Sequence, residues 1–256
     1  MIRQGLKRKI LFSLSFLLDV YIELSPRSFY QKLYSPLYKR TSITETLSRM
    51  ARVGEIEKKL IKGEPVLQIT TTGESLLNEA IPLRRLQNKP WDRLWRIVIF
   101  DIEEKESKTR NLLRERLKNL GFAMWQESVY ISPHPVSEEI NEFFEEKDLF
   151  PRCVCYEAAQ PKVFDPIDFA NKIFNLDEIE ISYNKLQSEI QTLAKDFSEN
   201  KIKKDQLLSL SRKLFDSLEK IVMSDPFVPK ELSHLGRERE KTQKMLAEFS
   251  KTIAKT

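Results

Sequence analysis

Glycine is scarce, with six in 256 residues. Gly5, Gly54, Gly63, Gly73, Gly121 and Gly236 are too scattered to build a phosphate-cradling loop of the GxGxxG or GxxxxGK[ST] kind. Nucleotide-fold enzymes that depend on those loops are therefore not expected. Two histidines, His134 and His234, and two cysteines, Cys153 and Cys155, do not supply a zinc site with C-x₂₋₄-C spacing. A structural zinc and a disulfide scaffold are both excluded on that ground. Long apolar runs are missing as well. The stretch Ile10 to Leu18 is interrupted by Asp19 and stays far below the roughly 20 residues of a membrane span.

What is present is 41% hydrophobic and 32% charged residues, the balance of a helix-rich globular chain. Its length allows two or three domains at roughly 100–200 residues each. The start imitates a secretory signal, because Arg3, Lys7, Arg8 and Lys9 precede the apolar run. Asp19, Glu23 and the lack of a small-x-small cleavage site favour an amphipathic helix with a basic lead-in. Together with two cysteines best understood as reduced thiols, this gives a cytoplasmic location with no membrane partner as the expectation.

Charge is unevenly divided. Residues 1–90 hold 16 Lys/Arg and 8 Asp/Glu, a net of +8, so the rest of a chain with an overall +5 carries −3. A basic module joined to a slightly acidic body is the footprint of a protein whose first part meets a polyanion.

Ile10, Leu11, Leu14, Leu17, Leu18, Tyr21 and Ile22 recur at helical spacing from Lys7 to about Leu24. Ser25-Pro26 opens a second helix that ends near Pro36. Ser42-Ile43-Thr44-Glu45 has the S-x-x-E form of a capping box, and the helix it opens carries Ile43, Leu47, Met50 and Ala51 on one face. Gly54 is placed to stop that helix in a left-handed conformation. Glu55 to Leu60 and Val66 to Thr70 read as a hairpin across the turn Ile61 to Pro65, and a further helix begins at Thr71. Helix, helix, helix, hairpin, helix is the order of a winged helix-turn-helix, expected over 1–81 and docked on DNA through its third helix and hairpin. On that reading Thr44, Ser48, Arg49 and Arg52 face the groove and Ser42 stands at the cap. Lys39 and Arg40 precede the helix, and Lys58, Lys59 and Lys62 lie in the wing. The lysines suit phosphates, whereas Ser48 and Arg49 suit base edges. Glu45 is an awkward neighbour for DNA unless it is occupied as a cap.

Residues 82–90 read as a polar linker. From 91 to 160 the order is βαββαβ. Trp95 to Ile102 forms a strand and Ser107 to Leu120 a helix ended by Gly121. Phe122 to Ser132 holds two strands broken near Glu127, Val136 to Leu149 a second helix, and Arg152 to Tyr156 a last strand. That is a ferredoxin-like domain, so the fold class is α+β. Asp101, at the end of the first strand, either caps the following loop or meets its counterpart across a dimer to hold a divalent metal such as Mg²⁺. Cys153 and Cys155 alternate along a strand and are expected as core or half-buried thiols. Residues 161–256 read as a helical domain, with long helices over about 177–197, 203–223 and 237 to the end, interrupted by Ser224 to Leu232.

Several strings resemble the PaaX family of transcriptional repressors. They are Leu47 to Gly54, Ile69 to Gly73, Trp91 to Asp101, Leu120-Gly121-Phe122, Val129 to Pro133, Phe174 to Asp177 with Tyr183, and Asp225 to Leu232. The resemblance implies a winged-helix DNA-binding domain and a central domain similar to the small CRISPR-associated ferredoxin-like nucleases. It also implies a helical C-terminal domain and homodimers on palindromic operators. In well-known relatives phenylacetyl-CoA releases repression of genes for aromatic-acid breakdown. Here Ser233-His234-Leu235-Gly236 departs from the pattern by lacking a tryptophan before the glycine, so the effector is left open, with an acyl-CoA as one class. The expectation is a homodimeric, double-stranded-DNA-binding repressor that is no enzyme and carries no cofactor. The alternative is a metal-dependent endonuclease using Asp101 and Mg²⁺.

Overall fold

The computed structural model describes residues 2–17, 34, 37–61, 64–87, 89–159 and 165–255. The expected second helix, Ser25 to Pro36, and the wing residue Lys62 lie outside the described residues, except that Tyr34 is helical and buried. The chain forms two compact units. One comprises residues 1–81, 180–224 and 237–256, and the other 82–179 and 225–236.

The first unit begins with α1 (Ile2–Leu17), whose Leu6, Ile10, Leu11 and Leu14 are buried as the helical spacing requires. Three residues of its basic lead-in are paired within the unit. Lys7 meets Glu55 at 2.5 Å, Arg8 meets Glu219 at 3.0 Å, and Lys9 bridges Asp216 and Glu219. Burial opposes the charge on Lys9, yet the two carboxylates outweigh it and raise its pKa. Part of the positive charge of the first 90 residues is therefore neutralised within this unit.

Next comes α2 (Arg40–Arg52), which buries Ile43, Thr46, Leu47 and Met50. The expected capping box is corrected here. The helix starts at Arg40 with Lys39 at the N-cap and no side-chain cap, so Ser42 is an interior residue of the first turn. The Thr44 and Thr46 hydroxyls turn back to the Arg40 and Ser42 carbonyls at 3.0 and 2.7 Å, a use of hydroxyls compatible with a helix already under way. Its C-terminus follows expectation. Gly54 has φ +73°, its N–H donates to the Ala51 carbonyl, and that of Glu55 donates to the Met50 carbonyl, which completes a Schellman motif.

The hairpin pairs β1 (Ile56–Ile61) with β2 (Glu64–Ile69) from Ile56↔Ile69 to Ile61↔Glu64, so the strands run further toward the tip than the Pro65 position suggests. α3 (Thr71–Ala80) is capped by the Thr70 hydroxyl, which accepts from the Gly73 N–H at 3.2 Å. Residues 47–54 and 69–73 meet at Glu55. Its N–H closes α2, its carbonyl accepts the Thr70 N–H at 3.1 Å, and its carboxylate takes Lys7. A Cβ at Gly73 would lie 2.2 Å from that carbonyl oxygen, so only glycine lets α3 start there. This junction fixes the hairpin beside α2. The same unit includes residues 180–198 of α7 (Leu176–Ser198), α8 (Lys204–Ser224) and, from Arg237, α9 (Leu235–Lys255), helices whose bounds match the expected ones within a few residues.

The second unit holds β3 (Leu94–Phe100), α4 (Ser107–Asn119), β4 (Ala123–Gln126), β5 (Val129–Ser132), α5 (Ser137–Glu146) and β6 (Cys153–Ala159). The sheet order β4-β5-β3-β6, with every pairing antiparallel, is ferredoxin-like. Val98, Phe100, Tyr130 and Cys153 on one face pack with Leu113 and Leu117 of α4 and Ile140, Phe143 and Phe144 of α5. Burial pushes the thiols of Cys153 and Cys155 up to about 11, so both rest as neutral core or half-buried groups. Residues 82–86, within the stretch read as linker, form a 3-10 turn that buries Leu86 in this core. On the opposite sheet face Phe169 of α6 (Pro166–Phe174) packs edge-on to Trp95 and Trp125, at centroid distances of 5.1 and 5.5 Å.

Candidate nucleic-acid interface

Opposite the buried residues of α2, Glu45, Ser48, Arg49 and Arg52 recur at i, i+3, i+4 and i+7 and form one outward stripe. These four, with Thr46, line an open concavity of about 410 Å³ in the first unit. Ser48 and Arg52 are exposed and Arg49 is half-buried. Thr44 flanks the stripe, its hydroxyl proton already given to the Arg40 carbonyl. Ser42 lies half-buried in the first turn, while Lys39 and Arg40 are exposed at the helix N-terminus. Glu45, set aside from the sequence as a cap partner, is an exposed member of the stripe itself.

The hairpin separates its lysines. Ile56, Lys58 and Leu60 alternate with Glu57 and Lys59, so Lys58 and Lys59 project from opposite faces. Lys59 is paired with Glu57 at 2.8 Å, and both remain exposed. An exposed pair of this kind is worth little and is readily exchanged for a phosphate.

Asp101 is exposed, and its backbone N–H donates to the Arg152 carbonyl at 2.8 Å. Nearby carboxylates are engaged elsewhere, Glu103 with Lys105 at 2.6 Å and Glu106 with Arg152 at 2.7 Å. No group of three or more His, Cys, Asp or Glu side chains gathers into a metal site among the described residues. One carboxylate offers a small part of the near-octahedral oxygen shell that Mg²⁺ takes, so the described residues around Asp101 do not by themselves complete that shell.

The second unit contains two polar centres that sequence reasoning missed. Arg96, buried in the sheet, takes Asp92 through two bonds, one of 2.8 Å and one of 2.5 Å, and Glu157 at 3.2 Å. Burial disfavours its charge, but the two carboxylates keep its pKa raised, and the bond from Arg96 lowers that of Asp92. His134 is fully buried at the end of the loop after β5, with Nε2 3.0 Å from the Pro226 carbonyl, and burial pulls its pKa down to about 4. The imidazole is thus neutral, and Nε2 donates. The strap 225–236, which interrupts the helical tail, is held to the ferredoxin-like domain by this bond and by the buried side chains of Phe227 and Leu232.

Both the fold and these positions frame the comparisons with known proteins. Residues 88–169 match the family model described as "PaaX protein central Cas2-like domain". The central domain is therefore similar to the central domain of PaaX proteins, as the sequence resemblance implied. No curated protein matches the chain. Among solved structures, the "Uncharacterized protein Rv0674 from Mycobacterium tuberculosis" aligns over 94% of each chain with a TM-score of 0.56 and 17% identity, a likeness of fold. No helix among the described residues is long and apolar enough to cross a membrane.

Proposed function

We propose that this chain is a PaaX-type transcriptional regulator whose N-terminal winged helix binds double-stranded DNA, acting as a homodimeric repressor in the cytoplasm. The observation that carries the reading is the outward stripe of α2, with Ser48, Arg49 and Arg52 opposite a buried apolar face and a hairpin fixed beside it. In the major groove Arg49 has the fork that suits a guanine edge, and Ser48 the small hydroxyl that suits any base. The N-terminus of α2 has no side-chain cap and is preceded by Lys39 and begun by Arg40, an arrangement suited to a phosphate. Lys58, Lys59 and Lys62 supply the remaining backbone contacts, which position the protein without reading sequence.

A small effector has a candidate place in the helical part of the same unit. An open groove of about 480 Å³ between α7 and α8 has Leu193, Leu210 and Leu214 in its lining, with Lys185, Lys213, Glu189 and Asp196 around them. The apolar walls suit an acyl chain, while the two ammonium groups and two carboxylates around them balance in charge. The test of the regulator reading is a titration of duplex fragments from the gene's own upstream region over a salt series. Tight binding to one fragment, with a steep salt slope, is expected. Binding equal to that of a heparin-competed control sequence refutes it.

A further inference from the structure

We infer that the outer flank of α4 is a second DNA-backbone surface, on which Arg114 and Lys118 take phosphates of the duplex with the charge of Arg110 behind them. The inference rests on the DNA-binding reading and adds to it a contact outside the winged helix. α4 carries Lys108, Arg110, Arg114, Arg116 and Lys118 against one carboxylate, Glu115. Leu113 and Leu117 face the core, so helical spacing places Arg116 on one flank and Arg110, Arg114 and Lys118, at i, i+4 and i+8, on the other. Arg116 is engaged by α5, donating to the Glu139 carbonyl at 3.3 Å and lying over the Phe143 ring. The row of three lies on the side of the edge strand β4, where Glu127 approaches Arg110.

Inside the protein this row is left short of partners. The Arg110 side chain is 11% exposed, and the two carboxylates within 4 Å, those of Glu104 and Glu127, stand at 3.9 and 3.8 Å, beyond hydrogen-bond reach. The Nε atoms of Arg110 and Arg114 are buried with no acceptor among the described residues. Arg114, half-buried, and Lys118, exposed, form no ion pair among those residues. Positive charge that the fold does not neutralise attracts an anion, and its layout tells which. Cations one helical turn apart, about 6 Å along the axis, form a line and not a pocket, which suits a chain of phosphates. The arginine fork takes a phosphate through two bonds, and the lysine serves as a point charge. The neighbouring α5 exposes Glu138, Glu142 and Glu145 at i, i+4 and i+7, so a duplex is repelled from that helix and held to the β4 side.

The experiment titrates the upstream duplex and a scrambled duplex with the full-length wild type, with Arg114→Gln and with the double variant Arg114→Gln, Lys118→Gln. A control, Lys147→Gln with Lys172→Gln, loses the same charge as the double variant elsewhere in this unit. Tryptophan fluorescence in urea confirms that each variant is folded. The slope of log K against log salt should fall by about 1 in Arg114→Gln and by about 2 in the double variant, on both duplexes. The preference between the duplexes should not change, because phosphate contacts carry no sequence information. The control should keep the wild-type slope. Wild-type slopes in both variants, or a slope lowered as much in the control, would overturn the inference while leaving the regulator intact. So would a fall in the sedimentation mass of the double variant with no change of slope, which would assign the row to the acidic α5 of a second copy. A wild type that binds neither duplex would overturn both.

Discussion

His134 makes the stability of the ferredoxin-like unit depend on pH in a way that can be worked out beforehand. Its pKa is about 4 in the folded chain against an ordinary 6.5. Between those values the unfolded chain binds a proton that the folded one does not, so this unit loses stability as pH falls below about 6.5 and stops losing it near 4. At about 1.36 kcal/mol per pKa unit the full penalty is on the order of 3 kcal/mol, of which about 2 kcal/mol is reached by pH 5. Trp91, Trp95 and Trp125 are all three tryptophans of the chain and all belong to this unit, so their fluorescence reports its unfolding. With an urea slope of about 2 kcal/mol per molar, the midpoint should fall by about 1 M between pH 7 and pH 5 beyond any fall in His134→Gln. Glutamine places an amide nitrogen where Nε2 donates to Pro226, so the variant keeps the contact and loses the titration. Equal pH slopes in the two proteins would refute the assignment of a buried, neutral imidazole.

Two substitutions in the first unit test how α2 and the hairpin are held. Gly73→Ala puts a Cβ 2.2 Å from the Glu55 carbonyl oxygen and 2.6 Å from Ile69 Cγ1, and should destabilise that unit by about 1–3 kcal/mol, whereas Gly236→Ala, with open space, should be neutral; paired thermal melts check both. Glu219→Ala takes a nearly buried carboxylate from Arg8 and Lys9 while Asp216 still holds Lys9. With Arg8 partly exposed, the expected loss is at the low end of roughly 1–3 kcal/mol in chemical denaturation, and a change below the error of the measurement would mean that these pairs hold nothing together.

The parts of the fold legible in the sequence are those set by local chemistry. Gly54 was readable because a helix that must end before a hairpin needs a left-handed residue, and the strand of Trp95 to Phe100 because a buried sheet demands an apolar, β-branched run. The helix start at Arg40 was not readable. Thr41, Ser42 and Thr44 all have capping side chains, and the choice is made by burying Ile43, Leu47 and Met50, which no local rule weighs. The partners of Arg8 and Lys9 lie more than 200 residues away, so the lead-in looks like free positive charge until the helices are packed. For the same reason nothing local marks residues 180–224 as part of the compact unit that contains residues 1–81. On the candidate site, Ser48, Arg49 and Arg52 followed from helical periodicity, whereas the place of Glu45 on the same stripe was hidden by the plausible cap.

In the proposed function Arg49 and its neighbours read DNA while the ferredoxin-like domain leaves it intact. The most direct measurement is binding of the wild type and Arg49→Ala to an upstream duplex, with and without Mg²⁺, followed by a gel for cleavage products. Magnesium-independent, sequence-preferring binding to DNA that stays whole is expected, with Arg49→Ala weaker by about 1–3 kcal/mol and relaxed at one base position. Magnesium-dependent cutting that disappears in Asp101→Asn, or binding indifferent to Arg49, would contradict it.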